Sequence, residues 1–440
     1  MIRTIMDTLI RTLRALIPKR LFVTLQPHYH GMLATLNAVR YRFPAKKLYV
    51  IGVTGTKGKS TVTELLAAIL EEAGYAVALS NSIRFKIADE SKPNLFKMSM
   101  PGRSFMQRFL ARAVSEDCAF AVIEMTSEGA KLNRHKHTEM DAFIFTNLSP
   151  EHIESHGSFE AYRDAKLSLR DALIASSKND KVVVSNKDDE HGAMFMDVPD
   201  TIRRRPFSLK QAEPYASNDR GVLLTFEGTS MHSPLVGVFN IYNILAAATF
   251  ARSIGIPVEV IKGAVEKLAI VKGRVEKIEE GQHFAVYVDY AHTSDSLEKL
   301  YQAFPNERKI CVLGNCGGGR DRWKRPEMAK VAERYCSEVI LTNEDPYDED
   351  PKAIVEEMVA GMEEKEPTII MDRRLAIRHA LQKALDRDVV LVTGKGTDPY
   401  IMGPNGTKTP WSDEQVVREE LRTLLNKPIE GDARSNRDVE

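Results

Sequence analysis

The stretch from Leu48 to Thr61 reads LYVIGVTGTKGKST, and its reading decides the fold. Leu48 to Val53 form a short apolar strand pattern that runs directly into a loop with glycines at 55 and 58. A helical pattern, TVTELLAAILEEAG, follows from Thr61. A strand, a glycine loop and a helix N-terminus in this order make a phosphate cradle. The glycines let the backbone of Gly55, Thr56, Lys57, Gly58 and Thr61 approach phosphate oxygens, the helix adds positive dipole, and Lys59 supplies a mobile cation. Ser60 offers a hydroxyl to Mg²⁺. The strict GxxxxGK[ST] spacing is not met, because position 53 is Val53 and Gly52 lies one residue earlier. The flanking strand and helix carry the assignment of a nucleotide triphosphate site.

Working outward, YAVALS, FAVIEM, AFIFTNL and KVVVSN repeat the same alternation with helical patterns, the sequence form of a parallel sheet covered by helices. A second series begins near Gly273 with FAVYVDY, KICVLGN, SEVILTN, PTIIMD and DVVLVTG. An α/β class is expected, with a central ATP-binding domain over 47–272 and a Rossmann-like domain over 273–426. A helical extension over 1–46 and a fraying charged tail over 427–440 complete the expected organisation.

The 440 residues suggest about three folding units at roughly 150 each. Lys and Arg number 61 and so do Asp and Glu, a balance that excludes a general nucleic-acid binder. With 43% hydrophobic and 28% charged residues the chain is not of the disordered class. Its apolar runs fall well short of the ~18 residues that cross a bilayer. The N-terminus lacks an apolar region followed by a small-residue cleavage site, so a cytoplasmic protein is expected. Cys118, Cys311, Cys316 and Cys336 show no framework spacing, and reduced thiols are expected. Residues 2–17 place Ile2, Met6, Leu9, Ile10, Leu13 and Leu16 at helical spacing among Arg3, Arg11 and Arg14. Two readings stand for this basic amphipathic helix: packing on the first domain with its charges in solvent, or lying on a membrane surface.

Two further clusters narrow the chemistry. Glu124 closes FAVIEM, where a strand-end carboxylate can reach a metal held by Ser60. After another strand, FTNLSPEHIESHGSFEAYRDAK brings His152, His156 and Lys166.

These residues together resemble one family, the Mur ligases, and within it the tripeptide synthetases that add the third residue of the peptidoglycan stem. TGTKGKST resembles the family loop TGTNGKT, EMTSEG its EVSSH segment, and the block from Phe145 to Lys166 its FTNLxxDHLDxHGxxxxYxxAK block. GVFNIYNILAA, GRVEKI, DYAHTSDSLE, NCGGGRDRWKRP, TNEDPYDEDP and GKGTD follow in the family's order. The resemblance implies an ATP-dependent carboxylate–amine ligase. In such an enzyme a carboxylate attacks the γ-phosphate to give an acyl phosphate, which an amino acid's amine then converts to an amide. It implies two Mg²⁺ ions, with Ser60 and Glu124 serving the first and His152 and Lys166 the second, Lys166 as a carbamate formed with CO₂. Lys59, His152 and Lys166 are then the catalytic set. Asn243, Arg274 and Asp289 match positions near adenine, phosphate and ribose, and His292 lies close to them with a less defined role. Small-molecule substrates and a monomer are expected.

At the amino-acid end, Arg320 matches the family arginine that pairs with the incoming carboxylate, a fork geometry suited to a guanidinium. The family's DNPR or DDPN segment reads Glu344, Asp345, Pro346, Tyr347 here, without the arginine that marks diaminopimelate users. Gly394 and Asp398 match GKGHE, with Asp in place of Glu and Thr397 in place of His. The TTP acceptor segment reads Ser99, Met100, Pro101. A separate UDP-binding domain of on the order of 100 residues, usual in the family, exceeds the 46 residues before the first strand. That short front resembles folylpolyglutamate synthases, so a glutamate ligase is the alternative of the same class. A nucleotide-dependent switch without ligation is the alternative of another class, and the lysine and metal cluster speaks against it.

Overall fold

The computed structural model describes residues 19–102 and 105–426, with side chains from residue 25 onward. The expected helix over 2–17 and the tail over 427–440 lie outside the described residues.

The first sheet holds β1 (Tyr49–Thr54), β2 (Val77–Ser80), β3 (Arg84–Ile87), β4 (Glu90–Pro93), β5 (Phe120–Glu124), β6 (Ala142–Phe145), β7 (Val182–Asn186) and β8 (Arg203–Phe207). Their order is β4-β3-β2-β5-β1-β6-β7-β8, with β2 to β3 to β4 antiparallel and the remaining pairs parallel. Side chains alternate across the pleat. Ile51, Val53, Val122, Ile144 and Val184 face one core, which the helices Lys59–Glu72 and Val238–Ser253 cover. Val50, Ala121, Phe143 and Val183 face the other, under Phe105–Ser115 and Phe159–Ala175. This period of two with apolar residues on both faces is what a doubly covered parallel sheet demands. The helix Val238–Ser253 is apolar around most of its circumference, and is buried accordingly. Truncating a fully buried member such as Leu66 to alanine costs about 2–5 kcal/mol.

A small antiparallel sheet of β9 (Ala216–Asn218), β10 (Gly221–Phe226) and β11 (Thr229–Ser233) packs on the helix Val258–Lys267. The second large sheet contains β12 (Glu276–Lys277), β13 (Ala285–Val288), β14 (Lys309–Leu313), β15 (Glu338–Leu341), β16 (Thr368–Ile369) and β17 (Val389–Val392), in the order β12-β13-β17-β14-β15-β16. Only β12 runs antiparallel. Its two faces again bury alternating residues, Cys311, Leu313 and Leu391 on one and Ile310, Val312 and Val390 on the other.

One expectation fails in this sheet. Cys311 and Cys336 are joined in a disulfide, not held as free thiols, whereas Cys118 and Cys316 are free. Cys311 sits in β14, and Cys336 ends the helix Lys324–Tyr335 that packs back over the sheet. The crossover brings the two Cα atoms to 6.2 Å, inside bonding reach, although 25 residues separate them.

Candidate active site

The carboxyl ends of β1, β5 and β6 meet where the first sheet's connections diverge to opposite sides, the place where open α/β sheets bind ligands. The loop after β1 is tied to the end of β6. Thr56 N–H donates to the Asn147 carbonyl (2.8 Å), and Lys57 N–H donates to Asn147 Oδ1 (2.8 Å). Two glycines make this possible. A Cβ on Gly55 would stand 1.9 Å from Thr146 Oγ1, and one on Gly58, at φ +83°, would stand 2.2 Å from Asn243 Oδ1. Asn243 therefore packs directly on the loop, held by its own bond to Asn240.

Charged groups converge under and beside the loop. Lys59 Nζ donates to the carbonyls of Gly55 (3.0 Å) and Thr56 (2.8 Å). Lys166 Nζ, fully buried, donates to the same Gly55 carbonyl at 2.7 Å and lies 4.8 Å from the Tyr162 ring centroid. Burial lowers both lysines' pKa values, and the neighbouring Lys59 charge drives Lys166 well below its ordinary value against the pull of Glu151 and Glu124. Glu124 accepts from Ser60 Oγ (2.8 Å), the Ser82 N–H (3.0 Å) and Ser99 Oγ (2.8 Å). Thr61 lines the same cavity one residue further along the helix.

The second sheet completes the site from the other side. Arg274 reaches Ser82 Oγ at 3.2 Å and Ser60 Oγ at 3.4 Å while stacking on Tyr290, 4.4 Å from the ring centroid. Asp289, buried, accepts from the N–H groups of Val275 and Ala291, and burial raises its pKa. Glu151 pairs with Lys57 and with His292 Nε2, each at 3.0 Å. Burial would raise the Glu151 carboxyl, but Lys57 and the two histidines hold it well below its usual range. His152 has a left-handed backbone (φ 57°) before the short helix Ile153–His156. Its pKa falls to about 4 through burial first, then the Arg320 and His292 charges.

The residues matched to amino-acid choice form their own cluster. Asp345 is buried and accepts from Lys395 Nζ (2.7 Å), the Met402 N–H (2.8 Å) and Lys97 Nζ (2.7 Å). The same Lys97 ammonium lies 2.8 Å from Asp398. Glu344 accepts from the Cys316 thiol (3.0 Å), and a Cβ on Gly394 would stand 2.1 Å from Glu344 Oε2. Pro346 and Tyr347 press on Gly317 and Gly318, where any side chain would collide with them.

A cavity of about 1070 Å³ runs between the two sheets. It is lined by the loop from Thr56 to Thr61, Ser99, Glu124, His152, Asn243, Arg274, Asp289, Arg320 and Asp398. Lys166 lies behind the loop carbonyl, and Asp345, Pro346, Tyr347 and Gly394 lie behind the lining. Glu151, Lys97 and Ser82 line it as well, although nothing in the motifs singles them out; Glu151 directly precedes His152, the nearest sequence signal. Among the described residues no three His, Cys, Asp or Glu side chains form a ready metal cage. The donor set of Ser60 and Glu124 suits Mg²⁺, which takes one or two protein oxygens and completes its shell with phosphates and water. The glycine cradle, Lys59 and Arg274 suit a triphosphate.

Residues 53–251 match the family model of the Mur ligase middle domain, and residues 273–396 that of the Mur ligase glutamate ligase domain. A UDP-N-acetylmuramoyl-L-alanyl-D-glutamate–2,6-diaminopimelate ligase from Syntrophomonas wolfei is 35% identical over 411 residues, covering 90% of this chain and 83% of the relative. A solved structure of a ligase of that name superposes with a TM-score of 0.61 at 27% identity, over 90% of this chain and 83% of the other. Folylpolyglutamate synthase of Mycobacterium tuberculosis superposes with a TM-score of 0.68 over 90% of this chain and 96% of its own, at 14% identity, a likeness of fold alone. The glycine loop and the residues opposite it on the second sheet fall inside the two matched regions, and identity of this extent along nearly the whole chain reaches beyond the fold: the chain belongs to the Mur ligase family of ATP-dependent acid–amino-acid ligases.

Proposed function

We propose that the enzyme activates the carboxylate of a cell-wall precursor of the UDP-MurNAc-dipeptide kind and joins it to an amino acid. The carrying observation is spatial: Lys59, the Ser60–Glu124 pair and Arg320 open onto one cavity. Gly55 to Thr61 would hold the triphosphate of ATP, with Asn243, Arg274 and Asp289 on its nucleoside and phosphate sides. Mg²⁺ at Ser60 and Glu124 would neutralise phosphate charge, so that a carboxylate can approach in line. Attack forms the acyl phosphate and releases ADP; the amine then adds to the acyl carbon, phosphate leaves, and the amine proton passes to base. Glu151 ties Lys57 to His292 at the junction of the two halves, a bridge that would help hold them together while the acyl phosphate is shielded from water.

Lys166 enters the reading as a carbamate. Its depressed pKa favours the neutral amine, whose lone pair adds to CO₂ as a proton is lost, giving an anion that with His152 would serve a second Mg²⁺. Arg320 would take the amino acid's carboxylate, while Asp345, Pro346, Tyr347, Gly394 and Asp398 shape the pocket for its side chain and Ser99 faces the acceptor. The same reading divides the chain functionally at 272–273 and places a monomer in the cytoplasm. A second reading of the same class, a glutamate ligase with a pteroate-type acceptor, is compatible with this fold, which folylpolyglutamate synthase shares.

The experiment is incubation of purified protein with ATP, Mg²⁺, UDP-MurNAc dipeptide and a panel of amino acids, with phosphate and products followed by mass spectrometry. Amino-acid-dependent phosphate release with an amide product is expected. Turnover with a pteroate acceptor alone selects the second reading, and no turnover with either contradicts both.

A further inference from the structure

The helix Lys19–Arg40 is amphipathic in the wrong sense for a solvent-facing element. It is anchored through one side: Gly31 and Ala38 are buried, Asn133 Nδ2 donates to the Pro27 carbonyl, and His30, Leu33 and Ala34 border a crevice with Phe105 and Met106. Its outward side carries Leu25, Tyr29, Met32, Leu36 and Val39, which are 48%, 46%, 56%, 58% and 59% exposed. Steps of four and three residues put all five on one stripe. Between them stand His28 and Thr35, and the helix contains no Asp or Glu. Solvated helices place charge on this face.

Charge along the chain is just as uneven. Residues 19–47 hold six Lys and Arg and no Asp or Glu, although the whole chain is neutral. An apolar stripe with an aromatic member, on a segment of net charge +6, is complementary to one kind of surface: acyl chains beneath anionic headgroups. A second copy of the chain fits less well, because two such segments would repel.

We propose that this helix, with the basic residues at its two ends, docks the enzyme peripherally on an anionic lipid bilayer, with Leu25, Tyr29, Met32, Leu36 and Val39 entering the headgroup boundary. No helix among the described residues is long and apolar enough to cross a membrane, so the attachment is interfacial. Arg134 borders both the crevice beside this helix and the catalytic cavity, and its guanidinium donates to the Met100 carbonyl. Docking therefore leaves the helix between the lipid and the Ser99–Met100 side of the cavity, which Arg134 connects to the helix's buried face. The proposal is independent of the reaction assigned above.

The test is sucrose-gradient flotation of the full chain with phosphatidylcholine vesicles, with and without phosphatidylglycerol, at low and high salt. Flotation is expected with the anionic vesicles at low salt, falling with salt and with removal of phosphatidylglycerol. Each basic residue near the surface contributes about fivefold to partitioning. The double substitution Met32→Glu/Leu36→Glu and, separately, Lys19→Glu/Arg20→Glu should each lower the floated fraction by about tenfold or more, with melting temperature and nucleotide binding unchanged. Absence of flotation on anionic vesicles overturns the proposal, as does flotation indifferent to both double substitutions. Light scattering that shows a dimer converted to monomer by Met32→Glu/Leu36→Glu, with wild-type flotation absent, assigns the stripe to self-association instead. Should the helix variant fold poorly, the salt and lipid dependence of the wild type and the Lys19→Glu/Arg20→Glu variant decide.

Discussion

Lys59 and Lys166 donate to one and the same oxygen, the Gly55 carbonyl, at 3.0 and 2.7 Å. Two ammonium groups sharing one acceptor in a buried place repel each other, and Lys166, which burial already disfavours as a cation, gives way. In the proposed reaction the loop would keep positive charge for a triphosphate, with the Lys166 amine directly behind it.

The amine's reactivity is open to measurement. Lys166→Ala should lower turnover by on the order of a hundredfold or more while nucleotide binding, followed by calorimetry, stays within a few fold. Depleting bicarbonate should slow the wild type, and adding it back should restore the rate. Undiminished ligation by the alanine variant would dismiss the carbamate.

At the far end of the cavity, Lys97 spans Asp345 and Asp398, tying the loop that follows β4 to the second sheet. Its ammonium occupies the carboxylates that the proposed amino-acid pocket presents. Lys97→Met should therefore lower KM severalfold for an amino acid bearing a second ammonium, leaving KM for ATP unchanged. A raised amino-acid KM would make Lys97 a part of the pocket and not its competitor.

Gly58 offers a backbone test. At φ +83° a side chain is strained, and its Cβ would meet Asn243 Oδ1 at 2.2 Å. Gly58→Ala should raise KM for ATP by about tenfold or more and lower the melting temperature, since non-glycine residues pay about 1–2 kcal/mol for such a backbone. Adding Asn243→Ala should recover part of the stability by removing the collision, leaving the backbone cost. Full additivity of the two substitutions in a double-mutant cycle would show that they do not touch.

Acid should unfold the protein earlier than its carboxylates alone require. Burial lowers His135 and His152 from 6.5 to about 4, so between these values the unfolded chain binds protons that the native one refuses. Stability then rises with pH across the window and is lost as pH falls from about 6.5 toward 4, by about 1 kcal/mol per group per pH unit. Denaturant midpoints measured from pH 7 to pH 4.5 should fall steadily; replacing His135 with Gln should flatten the slope.

The parallel strands and the phosphate loop were legible because their information is local. Runs such as KVVVSN and KICVLGN are apolar on both faces, and the glycines of TGTKGKST stand at the strand–helix junction. What escaped is created by the fold. The antiparallel β3 alternates polar and apolar residues over only four positions, most of them half-buried, and the polar β4 is exposed throughout. Glu151 acquires meaning only when Lys57 and His292 arrive from distant segments, and Lys97 only when the second sheet places Asp345 and Asp398 before it. The bond between Cys311 and Cys336 joins a strand to a helix end with no spacing that marks it.

The most direct test follows the oxygen atoms. With an acceptor whose carboxylate carries ¹⁸O, passage through an acyl phosphate transfers a single labelled oxygen to inorganic phosphate for every amide formed, read by mass spectrometry of both products. The account predicts that transfer, dependent on the amino acid and on the loop at Lys59. Phosphate released without label, or released without an amide, would contradict it.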